Sequence, residues 1–288
     1  MLDSEPRYLS ETGYTEALKL ARSHYENFPV VSLMIPRNLR KDVAIIYWFA
    51  RTADDFSDEG DFSISQRLKK LQTFENKLNA LLISSPESNL EAALKKTIFT
   101  RKLSPENFFN LMKAFKQDVD KNRYKDFNEV LTYCSNSANP VGRIMLELFN
   151  IRDERAFHYS DKICTALQIT NFIQDTQVDY QKGRIYYPQD EMVKFEVDEK
   201  VFEMNIINLN FKKLIEFSVD RVQDYFHEGR TLLEFLSGRF KYEIAWTIKG
   251  GEEILNKIRG ANYDIFTKRA ALTKTDYLKL CIKSFFTQ

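Results

Sequence analysis

The sequence predicts an all-α fold. Three observations carry that expectation. Glycine (9) and proline (7) stand at about half their usual share of a 288-residue chain, so turns are few and elements long. Apolar residues recur every three or four positions along most of the chain. No stretch alternates with period two for long enough to build a sheet. Hydrophobic residues make up 43% and charged residues 29%, a globular balance that excludes a disordered chain or a membrane bundle.

The elements follow in order. Periodicity predicts a helix over Tyr14–Tyr25, then a break around Pro29 and Pro36. A long apolar helix is expected from about Leu39 to Asp58, stopped at Gly60. Ser65–Leu82 is amphipathic, with Leu68, Leu71, Phe74, Leu78, Leu81 and Leu82 on one side. Ser84, Ser85 and Pro86 punctuate. Ser104-Pro105-Glu106 reads as an N-cap with proline at the first helical position, opening a helix to about Lys121. Phe127–Phe149 should be helical and kinked at Pro140, which lacks a backbone donor. A long helix over Ala156–Tyr180 is expected to end at Gly183, with Pro188 closing an extended loop. Asn210–Ser237, Tyr242–Ile258 and Thr273–Phe286 complete the set. No repeat, linker or low-complexity segment is visible, so the expectation is a single domain over residues 1–288. A split at the Glu59–Phe62 loop is the weaker alternative, because the flanking helices are too apolar to stand alone.

The formal net charge is +1, so no long-range field steers the chain towards nucleic acid, and no nucleic-acid partner is expected. Cys134, Cys164 and Cys281 form no paired motif, which argues against a disulfide scaffold or a zinc site. His24, His158 and His227 are far apart and lack ligand spacing, and His158 and His227 read as surface residues. The acidic, polar N-terminus resembles neither a signal nor a transit peptide. The longest apolar run, Val43–Ala50, is far short of the roughly 20 residues that span a bilayer. A cytoplasmic protein is expected. The Thr273–Phe286 segment places Tyr277, Leu278, Cys281, Ile282 and Phe285 on one face, which either docks on its own domain or rests peripherally on a membrane.

Two constellations carry chemistry. In ARTADDFSDEG, Ala50–Gly60, Asp54 and Asp58 lie four residues apart on one helical face, with Arg51 and Tyr47 on the preceding turns. Carboxylates crowded at a helix C-terminus repel one another and oppose the helix dipole. A divalent cation would remove that penalty; a solvated acidic helix end is the plainer reading. In TALQITNFIQDTQVDYQKGRIYYP, Thr165–Pro188, Asn171, Asp175 and Asp179 recur every four residues, with Gln168 on the same side. Oxygen-only donors suit magnesium, which takes one or two carboxylates and completes its shell with water and phosphate oxygens. Two such stripes suggest opposed Asp-x-x-x-Asp helices holding several magnesium ions on a diphosphate, whose carbon can then ionise. The 23 Phe and 14 Tyr could shelter a carbocation, although most aromatics are plain core. Asp118 and Asp120 beside Lys121 and Arg123 read as a local ion-pair network, with Arg123 as a secondary diphosphate candidate.

DDFSDE, NFIQDTQVD and GRIYYP resemble the aspartate-rich motifs of the squalene/phytoene synthase family. HYENFPVVS, His24–Ser32, is similar to that family's N-terminal diphosphate segment, and YCSNSANPVGR, Tyr133–Arg143, to its central helix. The resemblance runs from about residue 15 to 265. It implies a class I isoprenoid (terpenoid) synthase fold, a single helical domain around a central cavity, with prenyl diphosphate substrates, magnesium and head-to-head coupling. It implies Asp54, Asp58, Asn171, Asp175 and Asp179 as metal ligands. It implies His24, Arg51 and Arg184 as diphosphate contacts, with Asn27, Phe28, Gln168 and Asn171 also on the substrate side, and Tyr47 lining the cavity.

The departures from the family pattern narrow the reading. The second motif commonly reads Arg-Asp-x-x-Glu-Asp; here Gln174 and Val178 replace the arginine and the glutamate. Tyr25 and Asn27 replace the serines often found after the histidine, and Gly251 falls where several condensing members carry tyrosine. NFIQDTQVD with SANPVGR is similar to the bacterial HpnC-type branch of hopanoid pathways. That branch converts presqualene diphosphate to hydroxysqualene, with magnesium and no NADPH, and implies a companion presqualene diphosphate synthase. The alternatives are condensation of farnesyl or other prenyl diphosphates to presqualene diphosphate, squalene or phytoene, and a non-catalytic assembly factor of the same fold. An assembly factor would be expected to erode the metal aspartates, and here all four are intact.

Overall fold

The computed structural model describes residues 5–23, 35–273 and 276. Among the described residues every regular element is helical: α1 (Glu5–Ser23), α2 (Arg40–Asp58), α3 (Ile64–Ile83), α4 (Asn89–Arg101), α5 (Pro105–Asp120), α6 (Phe127–Ser137), α7 (Asn139–Leu148), α8 (Glu154–Gln174), α9 (Thr176–Gln181), α10 (Gln189–Lys194), α11 (Glu199–Glu203), α12 (Leu209–Gly229) and α13 (Gly238–Gly260). A 3-10 turn, Arg230–Glu234, follows α12. The all-α expectation is met.

The chain forms two compact units. The first is Met1–Asp120 with Ile144–Arg152; the second is Lys121–Arg143 with Asp153–Gln288. The Glu59–Phe62 loop lies inside the first unit and divides nothing.

In the first unit, α2 is apolar over most of its circumference. Val43, Ala44, Ile45, Phe49 and Ala53 are buried with Leu71, Leu78 and Leu81 of α3, Leu94 and Ile98 of α4, and Phe108 and Met112 of α5. Burying an aliphatic or aromatic side chain contributes about 1.5–3 kcal/mol each. Asp42 of α2 is a carboxylate buried against this core. It accepts from Thr97 (3.2 Å) and Arg101 Nε (2.8 Å), and Tyr14 bonds Thr97 in turn at 2.8 Å. A buried charge needs such partners.

Helix α4 has no counterpart in the periodicity reading. Its buried face is built largely of Ala92, Ala93 and Thr97, small residues that give little amphipathic contrast. Helix α3 begins one residue earlier than expected, because Ser63 and Gln66 form a reciprocal capping box.

In the second unit, α8 packs against α6, α12 and α13, and its Ala166, Ile169, Phe172 and Ile173 are buried. The expected Phe127–Phe149 helix is two helices, α6 and α7, which part at Ala138 just before Pro140. Gly142 lets the start of α7 approach α8 closely: a Cβ there would lie 2.5 Å from Cys164 Sγ and from Ser160 Oγ. The expected Ala156–Tyr180 helix is also two. It breaks at Asp175, whose ψ of 13° takes it out of helical geometry, and α9 resumes at Thr176. Asn210–Ser237 likewise resolves into α12 and the 3-10 turn, and α10 and α11 are short helices the periodicity did not show. The segments carrying His24, Asn27 and Phe28, and most of Thr273–Phe286, lie outside the described residues.

Candidate active site

The first constellation occupies the end of α2 in the first unit. Tyr47, Arg51, Asp54 and Asp58 follow the spacing of one helical face of α2, and all four are half-buried. Arg51 is the hub of the acidic end. Its guanidinium lies 3.5 Å from Asp54 Oδ2 and 2.6 Å from Asp55 Oδ1, and it also pairs with Glu59. Burial pulls the guanidinium down, but the charges of Asp55, Asp54 and Glu59 outweigh it and hold Arg51 above its ordinary value. Burial likewise raises the Tyr47 phenol, with Arg51 opposing. The crowded acids are thus partly neutralised by an arginine one turn back. The sequence places Arg51 on the aspartate face as a catalytic and diphosphate-contacting residue; its pairing with Asp55 and Glu59 is seen only in the structure.

Arg67 of α3 was missed entirely. Its side chain donates to four carbonyls at the end of α2: Ser57 (2.8 Å), Glu59 (3.1 Å), Gly60 (2.7 Å) and Phe62 (3.2 Å). Those carbonyls flank Asp58 on both sides. A cation at a helix C-terminus also complements the dipole. The signal available in the sequence was an arginine shortly after a Gly-containing loop, which is too common to single out. A groove of about 550 Å³, lined by Trp48, Phe56, Phe62, Phe74, Lys69 and Lys70, lies beside α2 and α3. Phe56 is two residues from Asp54, so this groove opens away from the aspartate face.

The second constellation lies at the α8–α9 junction of the second unit. Gln168, Asn171, Asp175 and Asp179 stay in register across the break, because Asp175 N–H donates to Asn171 O and Asp179 N–H to Asp175 O, both at 2.8 Å. Gln168, Asp175 and Asp179 are half-buried and Asn171 is exposed. Thr176 anchors the junction from below, with its hydroxyl 2.8 Å from the buried Tyr187 hydroxyl. Arg184 follows α9, its N–H donating to Asp179 O at 2.8 Å. The turn before it is clamped by Arg123, which donates to Gly183 O (2.6 Å) and forks onto Glu199 (2.7 Å on each oxygen). Of the cations read as an ion-pair network beside Asp118 and Asp120, Lys121 pairs with Glu129 and Arg123 with Glu199.

Asp175 has a partner the spacing did not show. Arg269 forks onto it, and the neighbouring Gln174 donates to Ala270 O. Phe172 stacks on Tyr186 at 3.6 Å, next to Tyr124 and Tyr133, and this aromatic cluster is largely core. Gly251 is fixed by packing, since a Cβ there would lie 2.4 Å from the Phe226 ring. His158 is exposed and pairs with Glu228, and Cys134 is buried, as the sequence indicated.

Among the described residues no three His, Cys, Asp or Glu side chains converge as a metal-holding group. The donor chemistry nonetheless fits magnesium. Each motif presents two half-buried carboxylates in helical i, i+4 register, and magnesium commonly draws the rest of its shell from water and substrate phosphate. No helix among the described residues is long and apolar enough to cross a membrane.

The sequence pattern of the squalene/phytoene synthase family matches residues 21–276. The chain is 27% identical to the 15-cis-phytoene synthase of Synechococcus elongatus over 285 residues, which is 95% of this chain and 91% of that protein. It is 37% identical to the hydroxysqualene synthase of Rhodopseudomonas palustris over 176 residues, 60% of this chain and only 59% of that relative. Among solved structures, squalene synthase HpnC from Alicyclobacillus acidocaldarius is 34% identical and superposes with a TM-score of 0.83, covering 88% of this chain and 95% of that one. A dehydrosqualene synthase, 20% identical, shares the fold with a TM-score of 0.85 over 98% of both chains. Since one family pattern takes in both aspartate constellations and the same helical architecture recurs in these synthases, the chain has the class I terpenoid synthase fold and belongs to the squalene/phytoene synthase family.

Proposed function

We propose that this protein is a magnesium-dependent synthase acting on a prenyl diphosphate, and that its reaction is ionisation of presqualene diphosphate followed by water capture to give hydroxysqualene. The observation that carries this reading is the 37% and 36% identity to two hydroxysqualene synthases over 60% and 61% of the chain, alongside the 34% identity to squalene synthase HpnC over 88% of it. Gln174, Val178 and Gly251 depart from the condensing pattern in the same direction. Gly251 cannot become tyrosine without moving the buried Phe226.

In this reading, Asp54, Asp58, Asn171, Asp175 and Asp179 would be oxygen donors to magnesium. Bound magnesium neutralises the leaving diphosphate and so lowers the cost of breaking the carbon–oxygen bond. Arg51 and Arg184 add fixed positive charge for the diphosphate, with His24, Asn27, Phe28 and Gln168 assigned to the substrate and Tyr47 to the cavity wall. Arg67 and Arg123 hold the turns that carry Asp58 and Arg184. The step needs no NADPH. A companion synthase would supply presqualene diphosphate, and a peripheral membrane contact would suit such lipid substrates.

Condensation of two prenyl diphosphates is the second reading. Its support is the phytoene synthase similarity, lower in identity but spanning 95% of the chain. Incubation with presqualene diphosphate and magnesium in heavy-oxygen water tests the leading reading. It expects an alcohol product bearing the heavy oxygen. A hydrocarbon product, or an alcohol without the label, would overturn water capture.

A further inference from the structure

After α13 the chain runs through residues 261–273 as an anchored strap. Near its start, the Tyr263 hydroxyl donates to Glu216 at 3.0 Å. Asp264 accepts from the backbone N–H groups of Phe266 (3.2 Å) and Thr267 (2.9 Å). Phe266 stacks on Phe211 at 4.8 Å, and both Ile265 and Phe266 are buried. At the far end Thr273 donates to Asp276 at 2.6 Å, and Asp276 pairs with Lys257 at 2.8 Å. Between these anchors the strap crosses the α8–α9 junction and makes two adjacent contacts with adjacent residues. Gln174 donates to Ala270 O. Arg269 Nε donates to Asp175 Oδ1, and Nη2 to Oδ2 at 3.2 Å.

The fork engages both oxygens of a carboxylate that the proposed function assigns to magnesium. The Arg269 side chain is itself half exposed, at 51%, so nothing in the core holds it there. A divalent ion on Asp175 would stand within a few ångströms of the guanidinium, and like charges at that range repel strongly. Magnesium also requires near-ideal octahedral geometry around itself. Gln174 matters here because it is neutral. It seats the strap by a carbonyl, so the guanidinium beside Asp175 comes from the strap and not from the neighbouring residue of α8.

We propose that Arg269 is the resident counter-ion of Asp175, a positioning residue delivered by the strap, and that magnesium at Asp175 displaces it. Strap docking and cation binding at this motif are therefore antagonistic, each weakening the other by the same factor. The proposal rests on Asp175 being a magnesium ligand.

Two readouts independent of turnover test it, with magnesium chloride as the probe. The first is tryptic cleavage after Lys268, which lies exposed on the strap. The second is magnesium affinity by calorimetry. Magnesium should speed cleavage in the wild type, and Arg269→Met should bind magnesium about fivefold or more tighter. Gln174→Ala, which removes the seat without touching either charge, should raise cleavage before any magnesium is added. If magnesium binds but cleavage does not change, or Arg269→Met binds no tighter, the antagonism is wrong and the magnesium assignment stands. If the wild type binds none and Arg269→Met does, the antagonism is supported. Failure of both proteins to bind, persisting when inorganic diphosphate is added to complete the shell, would sink the magnesium assignment and the strap proposal together.

Discussion

Arg51 and Arg67 treat the same acidic helix end in different ways. Arg51 meets the carboxylates with its charge, while Arg67 meets the backbone carbonyls that flank Asp58. Removing a carboxylate removes an oxygen donor and leaves this scaffold in place. Asp54→Ala and Asp175→Ala should each abolish turnover while leaving the far-ultraviolet circular dichroism unchanged; activity surviving in both would exclude the metal mechanism. Arg67→Met should behave differently. Losing four bonds from a charged donor to partly exposed carbonyls should lower stability by about 1–3 kcal/mol. It should also raise the magnesium concentration needed for half-maximal turnover, because Asp58 loses its fixed backbone. A lowered melting temperature with an unchanged magnesium requirement would reduce Arg67 to a structural role.

At the scale of elements, the close approach of α12 and α13 depends on Gly251. Gly251→Ala places a methyl group 2.4 Å from the fully buried Phe226 ring, and should cost about 1–3 kcal/mol of overpacking, read as a lowered melting temperature. An unchanged melting temperature would mean that α12 and α13 can separate freely there. Much at this scale was legible in the sequence. Helix α2 and its aspartate face could be read because an apolar run with a polar stripe has one sensible orientation. The Asn171–Asp175–Asp179 spacing could be read because helical register survives the break at Asp175. The break itself was not legible, since nothing in QDTQ forbids a helix. Helix α4 stayed hidden behind its small buried residues. The contact of Arg269 was illegible for a different reason: the Arg269–Asp175 pair is separated by 94 residues in sequence, and no local pattern encodes it.

For the whole molecule, the buried acids set a pH limit. Burial pushes the Cys134 and Cys164 thiols up from 9.0 to about 12. Burial likewise raises Tyr14 from 10.0 to about 12, against its bond to Thr97. A folded-state value raised above the unfolded one means that the unfolded chain loses its proton first as pH climbs. The stability these groups contribute is whole below about pH 8 and falls away as pH rises towards 12. The urea midpoint should therefore drop between about pH 8 and about pH 11, with both thiols slow to alkylate in the folded state; a flat profile would show that these groups are not shielded.

The most direct measurement is a product assay with magnesium and without NADPH, offering presqualene diphosphate and farnesyl diphosphate in parallel. The account predicts hydroxysqualene from presqualene diphosphate and farnesyl diphosphate left unconsumed. Consumption of farnesyl diphosphate with release of a condensed product would contradict it, and Gln174, Val178 and Gly251 would then be variations that a condensing enzyme tolerates.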